Sequence, residues 1–243
     1  MGWIKKAAKW VAKQAKTAAN WVAQKAKTVA RIFVRVVMTF VGLALGIVDL
    51  FVGFLGWPPK KLRLQIVVLS DESGSLVSEE RLRPAIDFAR SRLKSRFGVE
   101  LLPYAPGMVR FLDTPAPDAA LKVRCNWGAA GDEFGDAGEF FARHLAGRNA
   151  DPLGLISPIT VFVVADVADR DGCSLGPLTD YVTVDPDGVD DPSLMTHEIL
   201  HACNLLGHPV PKRNLQYGPR GRGDDVTRIQ KNIFRSSRHV TYW

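Results

Sequence analysis

Cysteine is scarce in this chain, which has 243 residues and only three cysteines. They are Cys125, Cys173 and Cys203, and they allow one disulfide in any of three pairings, with one thiol left over. A small fold held together by several disulfides is therefore excluded. The roughly 180 residues after position 60 are long enough to be stabilised by one hydrophobic core instead.

Acidic residues are absent from the first 48 positions, which contain seven lysines and two arginines. This segment alone supplies a formal charge of +9, whereas the whole chain carries +7, which leaves −2 for the remainder. The basic pI of about 9.4 therefore comes from the N-terminal segment. For the rest of the chain, the charge balance predicts no nucleic-acid partner.

The N-terminal segment repeats itself. The stretches WVAKQAKTAAN (10–20) and WVAQKAKTVAR (21–31) are one unit used twice, and eleven residues at about 100° each bring the same helix face round again. Trp3, Trp10 and Trp21 then share one edge, and most lysines gather opposite them. The pattern predicts a cationic amphipathic helix over residues 1–31 that lies on an anionic lipid surface. Packing against a protein partner is the alternative.

A long apolar run follows, VVMTFVGLALGIVDLFVGFLGW, residues 36–57, with Asp49 as its one charge. At about 1.5 Å per residue, a helix of this length can cross a hydrocarbon core of about 30 Å. The run is too long and too far from residue 1 for an ordinary cleaved signal peptide. Residues 32–59 are therefore predicted to form one transmembrane helix that acts as an uncleaved signal anchor.

Basic residues flank this run unequally, with nine before it and three directly after it. Because the more basic side of a span stays inside, the bias predicts a single-pass membrane protein. Its N-terminus would lie in the cytoplasm and residues 60–243 outside the cytoplasm. Gly42 and Gly46 form a GxxxG pair, which makes a homodimer through this helix face a further expectation.

Histidines cluster in HEILHACNLLGHP, residues 197–209. The preceding DDPSL offers acidic caps and a proline suited to a first turn, so a helix is predicted to begin there. On that helix His197 and His201 lie one turn apart on the same face, where two imidazoles can share one Zn²⁺. Glu198 lies beside them and is better placed as a general base than as a ligand. The competing interpretation is a helix with surface histidines.

A catalytic zinc site needs a third protein ligand and an open position. No glutamate follows Glu198, which excludes a site completed by a glutamate from a later helix. The remaining candidates are His208, Asp224, Asp225 and His239. His208 is favoured, because Asn204 and Gly207 both tolerate the left-handed backbone that can turn the chain back toward the metal.

Around this motif the sequence resembles the metzincin clan of zinc peptidases, especially its small bacterial matrixin-like members. Their signature is H-E-x-x-H-x-x-G-x-x-H with a methionine-containing turn downstream, and the similarity covers residues 62–243. This sequence departs from the pattern at three places. Asn204 stands at the glycine position, His208 comes one residue late, and Gln216 in NLQYG (214–218) stands where the family has methionine.

The resemblance implies an α+β fold for residues 60–243, with a mixed twisted sheet, packed helices, an active-site helix and a C-terminal helix. It also implies a Zn²⁺ cofactor on the three histidines, peptide or protein substrates, and Glu198 as the base that activates water. Tyr217, next to the methionine position, becomes a candidate for stabilising the oxyanion.

The order of the predicted elements agrees with that fold. Apolar, β-branched runs predict strands at 61–70, 158–167 and 179–185, with shorter strands near 99–102 and 108–112. Helices are predicted at 78–97, 132–147 and 224–237, the first capped by Ser78 and the last by an aspartate.

Three functions are compatible with these patterns. The leading one is a membrane-anchored zinc endopeptidase. The second is a catalytically inactive zincin-fold binding module with a structural zinc, which Gln216 and the late His208 favour. The third is a membrane-active, toxin-like protein, in which the N-terminal helix acts on lipid and the zincin domain is its cargo or partner.

Overall fold

The computed structural model describes residues 59–125, 135–147, 158–208 and 211–242, together with scattered positions between residues 9 and 44. Each of these scattered positions is helical. The exposed apolar side chains among them include Trp21, Val22, Val29 and Phe33. Contact of this segment with an anionic lipid surface stays a prediction, and Trp3 and Trp10 lie outside the described residues.

The predicted transmembrane helix requires a correction. Within the part of the chain that the structure describes, no helix is both long enough and apolar enough to cross a membrane. The predictions of a transmembrane anchor and of a single-pass membrane protein are therefore wrong. Gly42, Gly46 and Asp49 lie outside the described residues.

Ten strands follow the N-terminal segment in the described region. They are β1 (Lys60–Asp71), β2 (Gly74–Ser75), β3 (Val99–Pro103), β4 (Val109–Pro115), β5 (Lys122–Arg124), β6 (Ile159–Val163), β7 (Asp166–Ala168), β8 (Gly172–Ser174), β9 (Tyr181–Val184) and β10 (Val240–Thr241). Six α-helices accompany them in the same part of the chain. They are α1 (Glu79–Arg92), α2 (Asp118–Leu121), α3 (Asp136–His144), α4 (Pro186–Val189), α5 (Leu194–Ala202) and α6 (Arg228–Arg235).

One mixed sheet organises the fold, with strand order β10-β1-β6-β9-β8. β1, β6 and β9 run parallel, whereas β8 and β10 at the two ends are antiparallel to their neighbours. β1 also pairs in parallel with β3 through its first half and with β4 through its second half. A mixed sheet with packed helices is what the resemblance implied for residues 60–243.

Both faces of this sheet are covered by helices. Side chains alternate along β1, so that Leu64 and Ile66 face a core shared with α1, α5 and α6, while Val67 and Leu69 face a second core with α3. Because β6 is also buried on both faces, it forms the continuous apolar run that predicted a strand. The sheet is therefore the rigid support on which α5 rests.

The helix α1 begins and ends where the sequence predicted. The Ser78 hydroxyl accepts a hydrogen bond from the Arg81 main-chain N–H at 3.4 Å, and Glu79 and Glu80 occupy the favourable first turn. The helix continues as a π-helical turn over Leu93–Phe97 and ends at Gly98. Gly98 adopts the left-handed conformation, with φ 65°, which commonly ends a helix.

The last helix begins later than predicted. Its cap is Thr227, whose hydroxyl accepts from the Gln230 main-chain N–H in a capping box, so the expected aspartate cap is wrong. Asp224 is instead paired with Arg92 and Arg96 of the α1 segment, each at 2.9 Å. These ion pairs hold the chain before α6 against the α1 segment, and α6 begins only at Arg228.

Cysteine pairing, which the sequence left open, is settled by proximity. Cys125 at the end of β5 is bonded to Cys173 on β8, with their Cα atoms 5.5 Å apart. Cys203, directly after α5, is a buried free thiol. The disulfide therefore fastens the segment around β5 to the strand at the edge of the main sheet.

Candidate metal centre

The helix α5 presents the first two histidines. It begins after Ser193, whose main-chain N–H and hydroxyl both donate to the Asp191 carboxylate, at 3.0 and 2.6 Å. Every residue from Leu194 to Leu200 is buried, so this helix is held on all sides. His197 and His201, four residues apart, consequently project from one fixed face.

The third histidine reaches them by two left-handed turns. Asn204 has φ 74° and Gly207 has φ 84°, which are the two positions that the sequence singled out for this conformation. Between them the Leu206 main-chain N–H donates to the Asn204 carbonyl at 3.0 Å, and the Leu206 side chain is 70% exposed. Leu206 thus bulges outward and takes up the one residue by which His208 comes later than in the metzincin signature. His208 still lies beside α5.

Three ring nitrogens converge as a result. The Nε2 atom of His201 lies 3.1 Å from Nε2 of His197 and 3.2 Å from Nε2 of His208. One ligand atom from each histidine lies within 4.8 Å of the others. A tetrahedral zinc site with Zn–N distances of about 2.0–2.1 Å places its ligand nitrogens about 3.3 Å apart, so the spacing fits this metal.

Hydrogen bonds fix the tautomer of the two helical histidines. His197 Nδ1 donates to the Leu215 carbonyl at 3.0 Å, and His201 Nδ1 donates to the Leu205 carbonyl at 2.6 Å. Because a carbonyl oxygen only accepts, each Nδ1 carries the hydrogen and each Nε2 of the neutral ring offers a lone pair. Lone pairs that meet at 3.1 Å repel, and a shared cation resolves the repulsion.

The histidines are held neutral, as metal ligands must be. Burial lowers the pKa of His197 to about 3, and the neighbouring His201 contributes to this lowering. Burial also lowers the pKa of His201 to about 4. The pKa of His208 is lowered by burial and by the nearby charge of Arg170.

Glu198 lies next to this cluster with the properties of a general base. Its side chain is buried, and burial raises its pKa to about 7 despite the opposing charges of Arg222 and Arg170. Glu198 packs against Gly172 of β8 so closely that a Cβ atom at Gly172 would lie 3.1 Å from the Glu198 Cγ atom. A carboxyl group with a pKa near neutrality can both accept and return a proton.

The turn after the third histidine, which contains Leu215 and Gln216, forms two hydrogen bonds with His197. The Leu215 carbonyl accepts from its ring, as described, and the Gln216 Nε2 atom donates to the His197 main-chain carbonyl at 3.4 Å. Gln216 is only 1% exposed. Its Oε1 atom is buried without a hydrogen-bond partner among the described residues, so the polar side chain lies in an incompletely satisfied position below the ligand helix.

Arg222 is a structural member of the site that the sequence did not reveal. Its side chain is 1% exposed and lies 3.4 Å from the Asp191 carboxylate. It also donates to the Ser193 hydroxyl and to the carbonyls of Tyr217 and Gly218, at 3.0 to 3.2 Å. Arg222 therefore ties the turn below the histidines to the first residues of α5.

The other predicted candidates for the third ligand are placed elsewhere. Asp224 and Asp225 are engaged with arginines, and His239 is buried within 4.0 Å of Asp180. Tyr217 lies in the same turn as Leu215 and Gln216, and its hydroxyl has no hydrogen-bond partner among the described residues. Of the four third-ligand candidates, only His208 joins His197 and His201.

A cleft of about 250 Å³ opens over the site. Its described lining residues are Cys125, Arg170, Gly172, Ser174, Leu175, Gly176, Glu198, His201, Leu206, Gly207 and His208. The short edge strand β8 forms one wall, so the cleft lies between the sheet edge and the histidines. This strand is not evident from the sequence, because three residues are too few to show an alternating pattern.

Comparison with solved structures finds this fold in metallopeptidases. Mirolysin, in a structure with a bound compound, gives a TM-score of 0.50 at 11% identity, covering 74% of this chain and 91% of that chain. Metalloproteinase-II from Bacteroides fragilis gives 0.48 at 10% identity, covering 75% of this chain and 57% of the other. The likeness is one of fold. No protein-family model and no curated protein matches the chain.

The fold likeness agrees with the predicted zincin fold of residues 60–243. The predicted N-terminal anchor is overturned by the absence of a suitable helix among the described residues. At such low identity, the role of each side chain rests on the geometry of the site itself.

Proposed function

We propose that residues 60–243 form a zinc-dependent endopeptidase domain. The observation that carries the proposal is the convergence of three histidine Nε2 atoms, at 3.1 and 3.2 Å, next to a buried carboxyl group that lines the same cleft as His201 and His208. A cluster of imidazoles suits zinc and other nitrogen-seeking metals, whereas calcium and magnesium prefer oxygen. The fold shared with metallopeptidases supports the same reaction class.

The residues of this chain supply binding and proton transfer. His197, His201 and His208 would hold the metal, which when bound supplies Lewis-acid polarisation of the scissile carbonyl and of water. Glu198 accepts a proton from the attacking water on a carboxylate oxygen and later returns it to the leaving amine. The Tyr217 hydroxyl, which lacks a partner among the described residues, is the candidate donor to the developing oxyanion.

The decisive experiment replaces the base and keeps the ligands. Glu198→Gln preserves the size of the side chain but removes the group that accepts the proton, so we expect hydrolysis of a peptide library to fall about 10²- to 10⁴-fold. Zinc content, measured by mass spectrometry, should remain at one ion per chain. Unchanged hydrolysis in Glu198→Gln would exclude this residue as the base.

A structural-zinc binding module is the second candidate. It is favoured by Gln216, whose buried amide replaces an apolar floor beneath the ligand helix and leaves Oε1 unsatisfied among the described residues. The two functions differ in one result. If the wild type and Gln216→Met both bind zinc, and neither cleaves any library peptide or unfolded casein, the peptidase proposal fails and the binding module takes its place.

A further inference from the structure

Charge is distributed unevenly in the cleft above the histidines. Among its described lining residues, Arg170 is the only permanently charged cation and Glu198 is the only carboxylate. Arg170 is exposed and makes no ion pair with any described residue. The neighbouring arginines differ, since Arg220 is paired with Asp171 at 2.7 Å and Arg222 with Asp191 at 3.4 Å.

The position of Arg170 is set by the backbone. It lies in the turn between β7 and β8, where its main-chain N–H donates to the Val167 carbonyl at 3.0 Å. Asp169, directly before it, adopts φ 63°, a conformation that a side chain other than glycine rarely takes without constraint. The turn therefore fixes the main chain of Arg170, whose exposed side chain lines the cleft.

The rest of the cleft leaves room for a ligand beside that cation. Gly172 and Gly176 present no side chains, and Leu175 and Leu206 provide apolar walls. A guanidinium group binds a carboxylate through two parallel hydrogen bonds, and such a charge-assisted pair is stronger where water is partly excluded. No described acidic side chain forms an ion pair with Arg170, so its guanidinium group is available to a carboxylate from outside.

We propose that Arg170 binds a carboxylate of the substrate, so that the cleft selects peptides with an acidic group close to the scissile bond. This inference rests on the proposed peptidase function and adds its substrate class. The carboxylate belongs either to an aspartate or glutamate side chain or to a free C-terminus, and both are recognised by the same chemistry.

The first test compares peptides that differ at one position. Internally quenched peptides of one sequence carry Glu, Gln or Lys next to the cleaved bond, each with an amidated C-terminus. We expect kcat/KM to be about tenfold higher or more for Glu than for Gln, as a charge-assisted hydrogen bond provides, and lowest for Lys. Equal cleavage of the three peptides would overturn the proposal while leaving the peptidase function intact.

Variants of Arg170 assign the preference to this residue. Arg170→Gln should abolish the difference between the Glu and Gln peptides, and Arg170→Glu should favour the Lys peptide. Arg143→Gln, an exposed arginine on α3 paired with Glu139, is the matched control and should keep the original preference. An acidic preference that survives Arg170→Gln would overturn the proposal.

Binding to the inactive variant separates the two proposals. Glu198→Gln is titrated with fluorescent Glu and Gln peptides, with free and with amidated C-termini, and anisotropy gives each Kd. Tighter binding of the Glu peptide that is lost with Arg170→Gln supports the carboxylate site, even if no peptide is cleaved and the peptidase proposal fails. If only a free C-terminus strengthens binding, the terminal carboxylate is the source. Equal binding of all four peptides refutes the site.

Discussion

Single atoms decide which metal the cluster can accept. Each helical histidine donates its Nδ1 hydrogen to a main-chain carbonyl of a turn, and this leaves Nε2 as the metal-facing atom. Carbonyl partners of this kind fix the ring orientation and raise the basicity of a ligand. Three imidazole donors without a carboxylate favour zinc over calcium or magnesium.

His208 is expected to be necessary for tight metal binding. Because His208→Ala leaves only two ligands, zinc affinity should fall at least about 100-fold, as measured by competition with a chromogenic chelator. The control is His144→Ala, since His144 lies on α3, where its ring contacts Phe140. Full zinc retention in His208→Ala would show that the third ligand is a different residue.

Gln216 is expected to be replaceable by methionine. Gln216→Met removes a buried Oε1 atom that has no described partner, and an unsatisfied buried polar atom costs about 1–3 kcal/mol. The variant should therefore keep zinc, unfold at a higher temperature and hydrolyse peptides at least as fast as the wild type. Gln216→Glu, which places a charge in the same position, should be destabilised.

Zinc loss in Gln216→Met would contradict this expectation. It would show that the 3.4 Å hydrogen bond from Gln216 Nε2 to the His197 carbonyl positions the ligand helix.

At the scale of elements, the helix α5 and the turn below it are connected by Arg222. We expect Arg222→Met to leave the carbonyls of Tyr217 and Gly218 and the Asp191 carboxylate without their donor. Removing one partner of a buried ion pair lowers the free energy of unfolding by about 3–5 kcal/mol. Urea unfolding can measure this loss.

Arg220→Met is the matched control for that experiment. Arg220 forms a 2.7 Å pair with Asp171 but is exposed, and an exposed pair contributes only about 0–1 kcal/mol. Similar losses in the two variants would mean that burial of Arg222 has no special structural role.

Local sequence patterns predicted the elements that carry the ligands. The long apolar run of β1 and the histidines at helical spacing in α5 are encoded within a few residues. Arg222 could not be found in this way, because an arginine in the glycine-rich RGRGDD segment resembles an exposed loop residue. The ion pair of Asp224 with Arg96, which displaced the predicted cap of α6, joins residues 128 positions apart. Such contacts depend on the finished fold.

At the scale of the whole molecule, the disulfide joins the β5 segment to the cleft wall. Reduction opens a link that spans 48 residues, and the chain-entropy estimate for a loop of that length is about 4 kcal/mol. Cys125→Ser with Cys173→Ser should therefore lower the free energy of unfolding by about 2–4 kcal/mol.

Urea unfolding under oxidising and reducing conditions measures that stabilisation. The wild type should lose it when reduced, whereas the double variant should be insensitive to reductant. Cys203→Ala is the control for the remaining thiol, which is buried and has a pKa raised to about 12 by burial. Equal stability of the oxidised wild type and the double variant would contradict the expectation.

The outward bulge at Leu206 has a consequence for how relatives of this protein can be recognised. A loop that absorbs one additional residue keeps the three ring nitrogens together while the interval between the histidines changes. What defines this site is a set of interatomic distances, together with two positions of left-handed backbone, and not a count along the chain. A pattern that fixes this interval therefore misses the present site, which a geometric template of three converging nitrogens and one neighbouring carboxyl group would retrieve.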